Sequence, residues 1–328
     1  MNKGTVSNRI QKRSILKHIA RTEITNARLG IDYSVLEEAA SRFAIIVADG
    51  FSELSPDMAY VRAVNNLAMS GAVPDKMMLN VTAAAGTDEQ QLRDIMHRFT
   101  DISRERGVAI IGGNTVFAGG CAITVTVYGK TPVDRLEKLR QKVRPGDKII
   151  IINHVGDCGA SLISEAKRDE LRKRFSESYL LDYYEDFTID TFNLETLAPK
   201  LIDGGAVYLH DVSFGGIYRT LVEMAEFTGL GVDILHEHIP IRQSTIELCE
   251  FFNLNPYQLL GTGAVAAAVP ADNVDSIISL LSEEGAVFDI AGEFTADKSR
   301  IVHSENYHMS RNLNYYECDE IYKVLDEV

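Results

Sequence analysis

The sequence predicts a two-domain α/β protein, and three observations carry that expectation. Short apolar runs recur, and several end on an aspartate or a glycine turn: residues 44–48 before Asp49-Gly50, Ile149-Ile150-Ile151-Ile152 before Asn153, and residues 207–210 before Asp211. Stretches with helical apolar period alternate with these runs, as in Tyr60, Val64, Leu67, Ala68 and Gly71. A charged connector from Thr131-Pro132 to Pro145-Gly146-Asp147 separates two such series and sets a domain boundary near 142. The expected units are an arm (1–25), a first α/β domain (26–142), a second (143–297) and a polar tail (298–328).

Composition bounds the function. With 328 residues, 45% hydrophobic and 24% charged, the chain has enough apolar material for two packed cores. A net charge of −14 excludes nucleic acid as the expected partner, because phosphate backbones need a basic surface. Cys121, Cys158, Cys249 and Cys318 are scattered with no Cys-x-x-Cys pair, which reads as reduced thiols in a cytoplasmic protein. No apolar run reaches the roughly 20 residues of a membrane span, and no apolar segment behind the N-terminus reads as a signal peptide.

Along the chain, the first 22 residues are basic, with Ile10, Ile15, Leu16 and Ile19 at amphipathic spacing, either a solvated arm or a phosphate-facing helix. Gly30-Ile31-Asp32 opens the first domain. The run 44–48 reads as a buried strand that stops at Asp49-Gly50. Asp49 there either starts a turn or offers a carboxylate to a ligand. A helix follows Pro56 and carries Asn65-Asn66. Residues 77–83 read as a strand, Thr87 as the N-cap of a helix to about Arg106, and 108–111 as a strand ending in a Gly112-Gly113-Asn114-Thr115 loop. That loop is either a hairpin turn or a place where backbone approaches a ligand. Residues 121–128 alternate as a third strand.

In the second domain, Val155-Gly156-Asp157-Cys158-Gly159 joins a strand to a helix and lacks the third glycine of the dinucleotide fingerprint. The acidic, aromatic stretch 176–205 reads as a helix-rich cover. The strand, glycine turn and helix N-terminus at 153–159 offer an anion site. Asp211 is followed by Ser213-Phe214-Gly215-Gly216 and a helix, so a strand again hands an aspartate to the start of a glycine-led helix. Strands are expected at 231–235, 264–269 and 287–290, and helices at 243–252 and 273–284. His236-Glu237-His238, with both histidines on one face of a strand, invites a metal reading, but no third ligand is apparent and exposed loop histidines are the expectation.

In that order, Gly30-Ile31-Asp32, Val47-Ala48-Asp49-Gly50, Leu67-Ala68-Met69-Ser70-Gly71-Ala72-Val73-Pro74, Gly112-Gly113-Asn114-Thr115, Pro145-Gly146-Asp147, Val155-Gly156-Asp157-Cys158-Gly159 and His210-Asp211-Val212-Ser213-Phe214-Gly215-Gly216 resemble the aminoimidazole ribonucleotide (AIR) synthetase superfamily. The hydrogenase-maturation branch is the most similar, over residues 26 to 295. The resemblance implies an AIR synthase-like fold, with an N-terminal domain whose strands join a partner's in a homodimer barrel. It also implies ATP and Mg²⁺ between the domains and phosphoryl transfer to an oxygen of a small-molecule substrate. On that footing Asp32 and Asp49 would hold metal, and Asp49 and Asp211 would be catalytic. Asn66, Gly112, Gly113, Asn114, Thr115, Gly215 and Gly216 would line the nucleotide. This chain departs from the pattern at Asn66 and Asn114, where acids are usual, at Phe214, where an arginine is usual, and at Thr262, where that branch often has a glutamate. The alternative expectation is therefore a nucleotide-binding homodimer with weakened catalysis and an accessory role in metallocentre maturation.

Overall fold

The computed structural model describes residues 8–18, 29–38, 42–53, 55–177, 179–180, 188–306, 308–314 and 318–325. The arm's described part is a succession of short helical turns from Asn8 to His18. Ile19 of the arm, positions 178 and 181–187 of the aromatic stretch and positions 307, 315–317 and 326–328 of the polar tail lie outside the described residues.

The first domain is a five-stranded sheet. Its strands are β1 (Ser34–Glu38), β2 (Phe43–Ser52), β3 (Val73–Ala84), β4 (Ala109–Ala118) and β5 (Ala122–Pro132), in the spatial order β1-β2-β5-β3-β4. Pairing is antiparallel except between β3 and β4, which are parallel and joined by a crossover helix, α2 (Glu89–Arg106). Helix α1 (Pro56–Ala68) packs on the face formed by Ala44, Ile46, Ala48 and Gly50, the even positions of β2. Ser55 caps α1 by accepting from Met58 N at 3.2 Å, with Pro56 in the first turn. Asp57 then takes a bidentate grip from Arg98, fixing α1 to α2. The N-cap of α2 is Asp88, in a reciprocal capping box with Gln91, one residue beyond the expected Thr87.

Two sequence expectations are corrected here. β2 does not stop at Asp49-Gly50 but runs on to Ser52, because Gly50 lets α1 lie directly against the strand. A Cβ at Gly50 would sit 2.2 Å from both Ala59 O and Ala63 N. Gly112, Gly113, Asn114 and Thr115 form no loop; they lie inside β4, paired with residues 78–81 of β3. Gly113 is there because a Cβ would meet Leu79 O at 1.8 Å. β4 is the sheet's edge and is exposed along nearly its whole length, with Ile111 at 52%, Val116 at 45% and Phe117 at 61% exposure.

A short helix, α3 (Val133–Leu139), leads to the second domain. Its seven strands are β6 (Lys148–Ile152), β7 (Tyr208–Val212), β8 (Gly231–Leu235), β9 (Ala264–Val269), β10 (Phe288–Thr295), β11 (Arg300–Ser304) and β12 (Met309–Asn312). They lie in the order β12-β11-β8-β10-β6-β9-β7 as a mixed sheet, parallel at β8–β11. The helices are α4 (Asp157–Ala166), α5 (Leu197–Asp203), α6 (Gly216–Thr228), α7 (Gln243–Phe251) and α8 (Val274–Glu283). Burial on both faces of β6, β7 and β9 explains why these strands read as continuous apolar runs. The sheet continues past residue 297, so part of the expected tail belongs to the second domain. His236-Glu237-His238 forms a 3₁₀ turn and not a strand; His236 lies against Tyr257 and His238 pairs with Asp289 at 3.0 Å.

Arg135 joins the domains through Asp203 and the Gly71 carbonyl. Substituting Gly50→Ala should force α1 off β2 and cost about 1–3 kcal/mol or more. Urea unfolding should show the loss as a lower midpoint with an unchanged slope.

Candidate functional site

The seam between the domains is built on α1, β7 and the turn into α6. Asn65 on α1 donates to Phe192 O at 2.8 Å and accepts from Leu194 N at 2.9 Å. One turn earlier Arg62, only 9% exposed, bonds the Phe51 carbonyl of its own domain and Ser213 Oγ of the other at 3.1 Å. Its guanidinium lies 4.1 Å above the Phe214 ring. The arginine missing at position 214 is thus matched by a guanidinium that arrives from α1.

Below this bridge lies a buried acid cluster. Tyr208 Oη donates to Gly30 O at 2.5 Å, which fixes the Gly30-Ile31-Asp32 segment against β7. His210 Nδ1 then lies 2.9 Å from Asp32 Oδ2, and His210 Nε2 lies 3.0 Å from Glu223 Oε2 on α6. Arg219 holds Glu223 from one turn away at 2.9 Å. Asp211, 2% exposed, puts its backbone N 3.4 Å from Asp32 Oδ2, while its own Oδ2 has no hydrogen-bond partner.

The electrostatics follow from burial. Burial pulls the His210 pKa down, but Asp32 and Glu223 pull harder the other way and hold it well above its ordinary value, so the ring is an imidazolium. Burial also opposes the charge on Glu223, but His210 and Arg219 keep its carboxyl below the usual range. At Asp211 the opposing charges of His210 and Arg62 are outweighed: burial first, and the nearby Asp32 charge second, push its carboxyl up to about 7.

Among the described residues, ligating atoms of Asp32, His210 and Asp211 lie within 4.8 Å of one another. His210 Nδ1 lies close to Asp32 yet makes no hydrogen bond, so the group offers the oxygens of Asp32 and Asp211 beside an imidazole nitrogen. An orphaned carboxylate oxygen beside a second carboxylate fits a hard cation such as Mg²⁺.

The two carboxylates expected to converge do not meet. Asp32 meets Asp211, whereas Asp49 is no member of the cluster; it faces outward from β2, on the open side of the first sheet. Asn66 lies beside Asp49, donating to its carbonyl at 2.7 Å. Asn114 turns its Oδ1 to Thr115 N at 2.9 Å. Gly215 and Gly216, both at positive φ, open α6 as expected. His210, Glu223, Arg219 and Arg62 escaped the sequence reading. The available signal was Arg219 and Glu223, four apart on a helix otherwise lined by Ile217, Leu221, Val222 and Ala225.

Comparison with known proteins yields two family matches: AIR synthase related protein, N-terminal domain, over residues 57–131, and its C-terminal domain over 144–304. A carbamoyl dehydratase HypE of Rhizobium leguminosarum bv. viciae is 28% identical over 294 residues, covering 84% of this chain and 80% of that one. A putative hydrogenase expression/formation protein of Methanocaldococcus jannaschii is 26% identical, covering 91% and 90%. A solved hydrogenase maturation protein HypE in complex with ATP is similar at TM-score 0.69 and 21% identity, over 97% of each chain. Thiamine-monophosphate kinase from Stenotrophomonas maltophilia K279a is similar at TM-score 0.62 and 17% identity, over 92% of this chain and 96% of that one. At such identities the structural likeness speaks for the fold.

The raised Asp211 pKa has a testable sign. A carboxyl with a raised folded-state pKa stabilises fully below its unfolded value near 3.8, and that contribution is lost as pH climbs through about 7. In chelator, Asp211→Asn should therefore gain stability relative to wild type from pH 5 to pH 8, on the order of 1–3 kcal/mol. A melting-temperature difference that stays flat across that range contradicts the assignment.

Proposed function

The chain belongs to the AIR synthase related family, on its HypE-like, hydrogenase-maturation side, and from that membership we propose a Mg²⁺- and ATP-dependent enzyme transferring a phosphoryl group to an oxygen of a small acceptor. The observation that carries this reading is the orphaned Asp211 oxygen beside Asp32 at the seam between the domains. Asp32 and Asp211 would hold the cation, which when bound supplies positive charge against the phosphates. In such chemistry the protein chiefly positions groups and neutralises charge.

The residues divide that work. His210, pinned by Glu223, holds Asp32 beside Asp211. Arg62 holds the Ser213 turn to the first domain. Gly215 and Gly216 form the glycine-led head of α6, where backbone approaches closely: a Cβ on Gly216 would lie 2.6 Å from Tyr257 O, and the Gly215 N–H is held by Asp319. Asp49, with Asn66 at its side, lies on the open face of the first sheet, where the nucleotide's remaining contacts are assigned together with those of Gly112, Gly113, Asn114 and Thr115 on β4. A relative that carries the name carbamoyl dehydratase points to a carboxamide-type oxygen as acceptor. Its O–P bond would form as the terminal P–O bond of ATP breaks, with ADP leaving and one amide proton lost; the C–O bond then breaks with phosphate leaving, the remaining N–H proton is lost and the C–N bond becomes a triple bond.

A second reading is favoured by Asn66 and Asn114, whose amides supply no charge and are engaged with backbone. It is a nucleotide-binding accessory protein with little turnover. Both readings take a homodimer. An apolar, exposed edge strand such as β4 is a liability unless another chain covers it.

Saturating Mg²⁺-ATP should raise the wild-type melting temperature by several degrees, as about 100 times Kd contributes about 2.7 kcal/mol. Asp32→Asn and Asp211→Asn should abolish most of that shift. An absent shift in wild type, or an equal one in both variants, removes the proposal. ADP release on adding carboxamide acceptors separates the enzyme from the accessory reading. The double variant Ile111→Lys/Phe117→Lys should sediment as a monomer where wild type sediments as a dimer; a wild-type monomer rejects the dimer.

A further inference from the structure

The segment 318–325 lies across the turn that opens α6. Asp319, 4% exposed, accepts from Gly215 N at 2.6 Å, from Leu260 N at 3.2 Å and from Ile321 N at 2.9 Å. Around it the strap is anchored on both sides. Tyr322 stacks on Phe214 with ring centres 5.8 Å apart, Glu320 accepts from Asn255 N at 3.0 Å, and Ile321 and Val324 enter the core. Arg62 is close enough that its charge and that of Asp319 stabilise each other, and its buried Nε has no partner.

These donors describe an anion receptor: two backbone N–H groups, one at the glycine-led head of a 13-residue helix and one from Leu260, next to an incompletely satisfied guanidinium. A carboxylate on a chain segment remote in sequence fills it. Burial pushes the Asp319 carboxyl up to about 6 in spite of the N–H donors and Arg62.

We propose that the Ser213–Gly216 turn with Leu260 N–H and Arg62 is an oxyanion site that this chain closes with its own Asp319, and that a phosphoryl-bearing ligand enters by displacing the 318–325 strap. The phosphoryl class of the ligand rests on the ATP reading above; the strap contact does not. The strap is then a competitive gate, and every contact that seats it lowers the apparent affinity for the ligand.

Inorganic phosphate is the probe, titrated calorimetrically into the full chain at constant ionic strength. Asp319→Ala, which empties the receptor, should bind phosphate at least about 10-fold more tightly than wild type. Tyr322→Ala, which loosens the strap and leaves the carboxylate in place, should also bind it more tightly, by a smaller factor. In wild type, saturating phosphate should speed hydrogen exchange at the amides of 319–325. Unchanged or weaker phosphate binding in both variants, or strap exchange indifferent to phosphate, overturns the proposal. If Asp319→Ala fails to fold, Tyr322→Ala and the exchange measurement decide it. Tighter phosphate binding without any Mg²⁺-ATP shift leaves the strap standing and removes the nucleotide reading; an ATP shift with no effect of the strap variants does the reverse.

Discussion

A guanidinium that cannot lose its proton is buried at the boundary of two domains, and the site is arranged around satisfying it. Burial acts against the Arg62 charge, and the chain answers with a carbonyl from β2, a hydroxyl from the Ser213 turn, an aromatic face and nearby acids. These partners come from both domains, so they meet the charge together in one relative placement of α1 and the turn, with Nε left unpaired. Asn65 repeats the logic one turn further along α1 with the backbone at 192 and 194. Phe214 makes sense within that constraint. An arginine there would set a second guanidinium beside the first, whereas a ring receives Arg62 on its face.

The cluster under Arg62 shows the same economy. Three acids, Asp32, Asp211 and Glu223, share the seam with one imidazolium and Arg219. Buried charges persist when each finds a partner, and here Asp32 and Glu223 find theirs in His210 and Arg219. The exception is the Asp211 oxygen left over after His210 and Glu223 have settled with each other and with Asp32. Desolvation there is met in advance by folding, which is the condition for binding a hard cation without reorganising the protein.

Much of the architecture was legible in the chain, because strands buried on both faces leave unbroken apolar runs, as in Ile149-Ile150-Ile151-Ile152 and 264–269. The aspartate at the end of the run through His210, followed by two glycines, pointed to the head of α6 for sound reasons: positive φ at Gly215 and Gly216 requires that residue type. Three things were not legible. Gly50 looks like a turn, but the helix packed on it, which sequence does not display, makes it a strand residue. Gly112-Gly113 looks like a loop for the same reason, being set by the close approach of β3. The third is pairing over long separations. Nothing local to Asp32 announces His210, and nothing in the polar tail announces that Asp319 would seat itself on Gly215.

The order of strands in the second sheet bears on how the protein is made. β6 is its first strand to leave the ribosome, yet it sits between β9 and β10 and pairs with residues up to 293. Four consecutive isoleucines must therefore wait, unpaired and water-averse, until well over a hundred further residues have been synthesised. A nascent chain with that timetable depends on transient shielding during translation, by a chaperone or by the first domain already folded ahead of it.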